Sequence, residues 1–188
     1  MMMNGLRTLC LSLLFPALLA GCKPDAEPAP APSAKPEAQP AKKPAATAAA
    51  ERPSLRIATL DHGQFDLAAH RGKWVIVNYW ATWCGPCLKE MPELSALAAM
   101  RDHIQVIGLA YEDTTIDAMR AFLAKNPVVY PIALVDVYNP PADFAAPIGL
   151  PVTWLIAPDG KLARKFTGPL TARMLEEEIA RQGGPMAG

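Results

Sequence analysis

The chain has 188 residues, and its 18 lysines and arginines are balanced by 18 aspartates and glutamates. This neutral balance, without a basic patch, excludes the electrostatic footprint of a nucleic-acid-binding protein. The sequence contains no internal repeat. The roughly 135 residues that follow a proline-rich N-terminal region are enough for one domain with a core of its own.

Residues 1–21 are predicted to be a lipoprotein signal peptide. Arg7 supplies a short positive region, and the apolar run from Leu9 to Leu19 is too short for a comfortable membrane span. The run ends in Leu19-Ala20-Gly21-Cys22, which resembles the bacterial lipoprotein box. The resemblance implies cleavage before Cys22 and a lipid on its side chain. An ordinary signal peptide and an uncleaved anchor are the alternatives.

Export would place the mature chain in an oxidising compartment, on the periplasmic side of a bacterial membrane to which the lipid anchors it. Lys23 follows Cys22, and because this position is not aspartate, the usual sorting pattern favours the outer membrane. Residues 22–53 consist of the lipid-attachment cysteine and a stretch rich in proline and alanine. Proline density favours extended segments of about 3.1 Å per residue, so this stretch is predicted to be a disordered linker.

Residues 54–188 are predicted to form one domain of strands and helices. Strands are expected at 55–60, 64–67, 74–80, 104–110, 132–135, 152–156 and 162–166. Helices are expected from Cys84 to about Met100, from a cap at Thr114 or Thr115 to Asn126, and from a cap at Thr171 to Gly183. This order predicts an α/β fold with a central mixed sheet and helices on both faces.

Two cysteines, Cys84 and Cys87, stand three positions apart between a predicted strand and a predicted helix. Free N–H groups and the positive end of the helix dipole favour a thiolate at Cys84, and a thiolate is the attacking species in disulfide exchange. A zinc site would need a second pair of ligands, and a purely structural disulfide normally closes a longer loop. The pair is therefore predicted to be redox-active.

The segment from Asn78 to Cys87, which contains Trp83-Cys84-Gly85-Pro86-Cys87, resembles the thioredoxin superfamily. With Glu90-Met91-Pro92 behind it, the segment is similar to the membrane-anchored, extracytoplasmic branch that includes TlpA and ResA. Further landmarks are Gly149 to Thr153 and a hairpin at Asp159-Gly160, so the resemblance covers roughly residues 54–182. It implies a thioredoxin-like fold and a thiol–disulfide oxidoreductase, in which Cys84 attacks and Cys87 resolves the mixed disulfide.

The same resemblance indicates residues that bind substrate. In the superfamily, the proline that matches Pro151 is cis and lies against the active-site disulfide. A cis turn there would expose the backbone of Leu150, which could pair with an extended substrate peptide. Gly85 and Pro86 are expected to contact substrate too, and this pair accompanies reducing members of the family. Trp83 is expected either to cover apolar substrate surface or to be partly buried core.

Cys87 must lose a proton before it can expel a mixed disulfide. Thioredoxin itself has a buried aspartate six residues before its first active-site cysteine, where this chain has Asn78, which accepts no proton. The TlpA-like branch has a carboxylate three residues after the second cysteine, here Glu90. A carboxyl of raised pKa suits the task, so Glu90 is predicted to accept the proton. The alternative is a solvated acid near the helix N-terminus.

The predicted function is the reduction of disulfides in exported proteins, apocytochrome c among them. Because the compartment is oxidising, an inner-membrane electron donor must re-reduce the protein, and the resemblance implies a donor of the DsbD or CcdA type. No cofactor, metal or nucleic acid is expected, and the protein is expected to be a monomer. The alternative function is a Cu(I)-handling module, in which the two thiolates and Met91 bind a soft ion.

Overall fold

The computed structural model describes residues 51–185, so the predicted signal peptide, Cys22, Lys23 and most of the predicted linker lie outside the described residues. The strands are Arg56–Ala58 (β1), Gln64–Asp66 (β2), Trp74–Trp80 (β3), Ile104–Ala110 (β4), Ile132–Leu134 (β5), Val152–Ile156 (β6) and Leu162–Thr167 (β7). The α-helices are Gly85–Met100 (α1), Ile116–Lys125 (α2) and Ala172–Arg181 (α3), and a 3₁₀ helix spans Leu67–His70. None of the helices in this range is long and apolar enough to cross a bilayer.

The main sheet has five strands in the order β5-β4-β3-β6-β7. β3, β4 and β5 are parallel, whereas β6 and β7 are antiparallel to their neighbours, so the predicted mixed sheet is confirmed. β3 is the central strand, and all seven of its residues are buried. Val152 of β6 lies opposite Tyr79 of β3 in the antiparallel pair. The residues that precede β6 and the residues that follow β3 therefore meet at the same end of the sheet.

Each face of the sheet has its own core, because successive side chains of a strand point to opposite faces. Trp74, Ile76 and Trp80 of β3 pack with buried residues of all three α-helices. The alternate residues of β3 belong to a second core cluster, which is covered by Leu55, Phe65, Leu67 and Phe144. The sequence predicts helices on both faces. Within residues 51–185, the three α-helices pack on the first face, and the 3₁₀ helix contributes Leu67 to the second.

The handedness of the crossovers explains why α1 and α2 share a face. The chain moves from β3 to β4 and then from β4 to β5, in the same direction across the sheet. Crossovers between parallel strands are right-handed, so two steps in one direction place both helices on the same side. Leu175 and Ile179 of α3 join the same cluster. The inner side of α1 therefore lies in a continuous core between the sheet and its neighbouring helices.

The folded unit includes residues that the sequence assigns to the linker. The carbonyl of Glu51 accepts a hydrogen bond from the Leu162 N–H at 3.0 Å. Arg52 lies 3.7 Å from the carboxylate of Asp159, and Pro53 is buried. The folded unit thus extends at least to residue 51, three residues before the predicted boundary.

Candidate active site

Cys84 and Cys87 form a disulfide at the start of α1, with their sulfur atoms 2.06 Å apart. Cys84 is the N-cap residue, and its Sγ accepts a hydrogen bond from the Cys87 N–H at 3.3 Å. Pro86 occupies the first turn, where a proline is tolerated because the first N–H groups of a helix have no partner within it. Cys84 is 5% exposed and Cys87 is fully buried, so Cys84 is the member of the pair that contacts solvent.

The N-terminus of α1 stabilises negative charge on Cys84. A helix carries roughly half an elementary positive charge at its N-terminus, and α1 has 16 residues with aligned peptide dipoles. No acidic side chain lies in its first turn to offset this charge. When the disulfide is reduced, the helix therefore favours the thiolate form at Cys84, as nucleophilic attack on a disulfide requires.

One carboxylate, that of Glu112 just beyond β4, holds the loop between β3 and α1. Its Oε1 accepts a hydrogen bond from the Thr82 N–H and its Oε2 accepts one from the Thr82 hydroxyl, both at 2.8 Å. The Ala81 carbonyl accepts from the Cys84 N–H at 3.1 Å, so the loop is fixed on both sides of Trp83. Trp83 itself is 70% exposed. The loop thus presents a large apolar side chain directly before Cys84.

Replacing Glu112 with alanine is expected to loosen this loop and to leave the sheet intact. Alanine has no accepting side-chain oxygen, so the Thr82 N–H and hydroxyl both lose their partners, and the loss at the N–H costs about 1–3 kcal/mol. Hydrogen exchange of the Thr82 amide should accelerate about 5- to 150-fold, which corresponds to that energy. The Ile76 amide in β3 is the control, and equal acceleration of both amides would show that the whole domain opens instead.

Glu90 lies one turn after Cys87 on the same side of α1 and is 2% exposed. Its Oε1 accepts a hydrogen bond from Asn78 Nδ2 at 2.7 Å, and its Oε2 accepts from the Leu170 N–H at 3.0 Å. Asn78 Nδ2 also donates to Thr153 Oγ1 at 3.0 Å. The carboxylate is therefore fixed between α1, the central strands and the segment before α3.

Burial raises the pKa of Glu90 to about 7, although the hydrogen bonds from Leu170 and Asn78 act in the opposite direction. A carboxyl with this pKa is close to half ionised at neutral pH, where it can both take up and release a proton. The solvated acid considered as the alternative for Glu90 is therefore wrong. A buried carboxyl one turn from a buried thiol is suited to accept the thiol proton.

The segment before β6 supplies the other side of the site. The Leu150–Pro151 peptide bond is cis, and Pro151 is buried at the end of the sheet where β3 also ends. Leu150 packs partly against the core cluster that contains both cysteines. Ile148 is fully exposed. Two exposed apolar side chains, Trp83 and Ile148, thus lie on the two loops that meet at this end of the sheet.

The structure adds residues that the sequence analysis did not assign to the site. Asn78 is the hydrogen-bond partner of Glu90, and its signal in the sequence is a polar residue inside an apolar strand. Glu112 and Ile148 have no such local signal. Gly85 and Pro86 are exposed between the two cysteines. Trp83 is exposed as well, so the alternative prediction that Trp83 is partly buried core is wrong.

Comparisons with known proteins find relatives for most of the chain. The profile of the Redoxin family matches residues 30–182. The thiol-disulfide oxidoreductase ResA of Bacillus thuringiensis subsp. konkukian is 31% identical over 133 residues, which cover 70% of this chain and 76% of that protein. The thiol:disulfide interchange protein HelX of Rhodobacter capsulatus is 31% identical over 134 residues, which cover 70% and 74% of the two chains. A crystal structure of a protein from Chlorobium tepidum, described as the thiol:disulfide interchange protein DsbE, matches with a TM-score of 0.62 and 28% identity over 71% of this chain and 96% of that one.

Proposed function

Because the chain belongs to the Redoxin family, has a thioredoxin-like fold and is a thiol-disulfide oxidoreductase, we propose that it reduces disulfides of exported proteins while a lipid tethers it to a membrane. The observation that carries the proposal is the Cys84–Cys87 disulfide at the start of α1, with buried Glu90 one turn behind it. Gly85 and Pro86 between the cysteines support the reducing direction, since this pair accompanies reducing members of the superfamily.

The exchange proceeds in two steps. The Cys84 thiolate attacks one sulfur of the substrate disulfide, forms a mixed disulfide and releases the other sulfur as a thiolate. The Glu90 carboxylate then takes the proton of the Cys87 thiol, and the Cys87 thiolate attacks the Cys84 sulfur. The bond between Cys84 and the substrate breaks, and the second substrate sulfur leaves. Two electrons have passed to the substrate, whose thiolates take up two protons, and the protein is left with its disulfide.

The substrate is proposed to be an extended peptide segment that carries two cysteines. Trp83, next to Cys84 in the chain, and Ile148, on the loop before β6, are exposed apolar side chains that would contact the segment, and the exposed Gly85 and Pro86 would permit close approach. The backbone of Leu150, which precedes the cis peptide bond, would pair with the segment as an added strand. Apocytochrome c is a substrate of this kind, because its haem-attachment motif contains two cysteines separated by two residues.

The proposed partners follow from the redox balance. Each turnover leaves the protein oxidised, so an inner-membrane donor of the DsbD or CcdA type must return two electrons to the Cys84–Cys87 pair. A lipid on Cys22 would hold the monomeric protein at the periplasmic side of a membrane. The linker to the folded domain, extended by about 3.1 Å per residue, would span tens of ångströms and bring an outer-membrane anchor nearer to such a donor.

The reduction potential of the Cys84–Cys87 pair is expected to lie below about −220 mV, nearer to thioredoxin at about −270 mV than to the oxidant DsbA at about −120 mV. It is measured on a soluble form that begins after Cys22, equilibrated with a thiol redox buffer. A form with both Cys84 and Cys87 replaced by serine serves as the blank. A potential above about −150 mV would indicate an oxidant and would reverse the proposed direction of electron flow.

No observation favours the Cu(I)-handling alternative. In the part of the chain that the structure describes, no group of three or more His, Cys, Asp or Glu side chains is placed to hold a metal ion. Met91, the third ligand considered, is 4% exposed and belongs to the main core cluster. Its position is explained by packing between α1 and the sheet.

A further inference from the structure

Asn78 carries the only amide side chain of the central strand β3, and it is fully buried. The other residues of this strand are aliphatic or aromatic. Asn78 Nδ2 donates one hydrogen bond to Glu90 Oε1 at 2.7 Å and another to Thr153 Oγ1 at 3.0 Å. Both N–H groups of the amide are thus used, and one of them is aimed at the carboxylate of Glu90.

The oxygen of the same amide has no hydrogen-bond partner among the described residues. Burying an acceptor without a partner is unfavourable, and an apolar side chain of similar shape would avoid this cost. Packing alone therefore does not explain an asparagine at position 78. The hydrogen bond to Glu90 is a contact that an apolar side chain could not supply.

Hydrogen bonds from N–H groups favour the ionised form of a carboxyl, and each oxygen of Glu90 accepts one. Burial raises the pKa of Glu90 to about 7, and the hydrogen bonds from Leu170 and Asn78 lower it. Leu170 donates from its backbone at 3.0 Å. Within residues 51–185, Asn78 is therefore the one side chain that donates a hydrogen bond to Glu90.

The sheet and α3 offer no counter-charge to Glu90. β3, β4 and β6 contain one ionisable side chain, that of Tyr79, which packs on the opposite face. The five charged side chains of α3 are in ion pairs with one another, with Arg101 or with Arg164. Glu90 itself makes no ion pair within residues 51–185.

The other titratable groups around Glu90 are neutral or exposed. Burial and then the charge of Glu90 raise the pKa of Tyr130, so its hydroxyl is neutral at pH 7. On α1 itself, Lys89 and Glu93 are exposed, and Cys87 is held in the disulfide. The Asn78 amide is therefore the side-chain group that favours the ionised form of Glu90 in this core.

We propose that Asn78 is a positioning residue for the resolving step, in which its amide N–H keeps the Glu90 carboxyl in the ionised form that accepts the Cys87 proton. This proposal rests on the proposed function, in which Glu90 is that base. The proton passes from the Cys87 thiol to the Glu90 carboxylate, while Asn78 gains and loses no proton and no electron is transferred. Without the amide donor, Glu90 would stay protonated, and inactive as a base, up to a higher pH.

The test compares two substitutions that keep the branched shape of asparagine, Asn78→Leu and Asn78→Asp. Leucine donates no hydrogen bond, and aspartate replaces the donor with a second carboxyl. The pKa of Glu90 is measured by carbon-13 NMR of its carboxyl in the oxidised protein. Asn78→Leu is expected to raise this pKa by about one unit. Asn78→Asp is expected to raise the upper apparent pKa of the carboxyl pair by about two units.

Val77→Ala is the control, because Val77 precedes Asn78 in β3 and packs in the core on the opposite face. It disturbs the same strand and should leave the pKa of Glu90 unchanged. If Asn78 only filled space, Asn78→Leu would keep the wild-type pKa, and this result would overturn the proposal. An equal shift in Val77→Ala, or a shift in Asn78→Asp no larger than in Asn78→Leu, would also overturn it. If one Asn78 variant fails to fold, the other is compared with Val77→Ala in the same way.

Stopped-flow kinetics supply the second measurement. In Asn78→Leu, the rise in the rate of resolution with pH should begin about one unit higher than in the wild type, so resolution at pH 7 should be about fivefold slower. Attack by Cys84 should keep its rate. A shifted titration with an unchanged pH profile of resolution would overturn the proposal. Because the NMR titration needs no substrate, an unchanged titration beside normal disulfide reduction would reject the role of Asn78 and leave the proposed function intact.

Discussion

Replacing Cys84 with serine is expected to abolish disulfide reduction, whereas replacing Cys87 with serine is expected to trap the protein in mixed disulfides. A serine hydroxyl is not ionised at neutral pH and forms no disulfide, so the Cys84→Ser variant cannot make the first bond to a substrate. The Cys87→Ser variant keeps its nucleophile at the start of α1 but has no thiol to resolve the product. Turnover is measured with a disulfide substrate, and trapped species are identified by non-reducing electrophoresis and mass spectrometry.

The two variants differ because the two cysteines occupy different environments. Cys84 caps the helix and contacts solvent, whereas Cys87 is fully buried behind it. A variant with both cysteines replaced is the control and should trap nothing. Activity at the wild-type level in Cys84→Ser, or trapping by Cys84→Ser in place of Cys87→Ser, would contradict the assigned roles.

The elements of the fold could be predicted because their signals are local. The central strand is a continuous apolar run, and Thr115 and Thr171 accept hydrogen bonds from backbone N–H groups at the starts of α2 and α3, as helix caps do. The faces on which the helices pack could not be predicted from local sequence signals. They depend on β5 pairing with β4, through contacts such as that of Gly108 with Ile132. The sequence of a short strand such as β5 gives little indication of which strand it pairs with.

The same distinction applies to the active site. Cys84 and Cys87 are recognisable because their chemistry depends on a spacing of three residues and a helix start. The environment of Glu90 is built from Asn78, 12 residues away, and from the backbone of Leu170, 80 residues away. The contact of Glu112 with Thr82 spans 30 residues. Burial and pKa at Glu90 are therefore properties of the folded chain, for which the sequence offered only a resemblance.

Replacing Glu90 with glutamine is expected to remove a pH dependence of stability. The pKa of this carboxyl rises from 4.5 to about 7 on folding, because burial disfavours the charged form. The folded state thus prefers the protonated carboxyl, so its contribution to stability is fully present below about pH 4.5 and is lost as the pH rises through about 7. A shift of this size corresponds to roughly 3 kcal/mol. Urea unfolding at pH 5 and pH 8 should show most of this loss in the wild type and little in Glu90→Gln.

Glu93 offers a matched control on the same helix. Its Oε2 accepts a hydrogen bond from the Ala172 N–H at 3.0 Å, much as Glu90 accepts from Leu170, but Glu93 is exposed. Glu93→Gln therefore weakens a comparable contact with the start of α3 without removing a buried carboxyl. Its stability should follow the wild-type dependence on pH. If both variants lost the pH dependence of stability, its cause would be the contacts between α1 and α3 and not the burial of Glu90.

The same substitution separates the catalytic role of Glu90 from its structural role. Wild-type resolution of the mixed disulfide should accelerate as the pH rises through about 7, because the carboxylate that accepts the Cys87 proton forms over that range. Glu90→Gln should slow resolution about 100-fold at pH 7, which is within the usual range for loss of a general base. In this variant the rate of resolution should rise only at the higher pH where the Cys87 thiol ionises without a base. Glu93→Gln should retain the wild-type profile in stopped-flow measurements from pH 5 to pH 9. If Glu90→Gln lost only the pH dependence of stability and kept the wild-type kinetic profile, the buried carboxyl would be a structural group, and Cys87 would have to release its proton directly to the departing substrate.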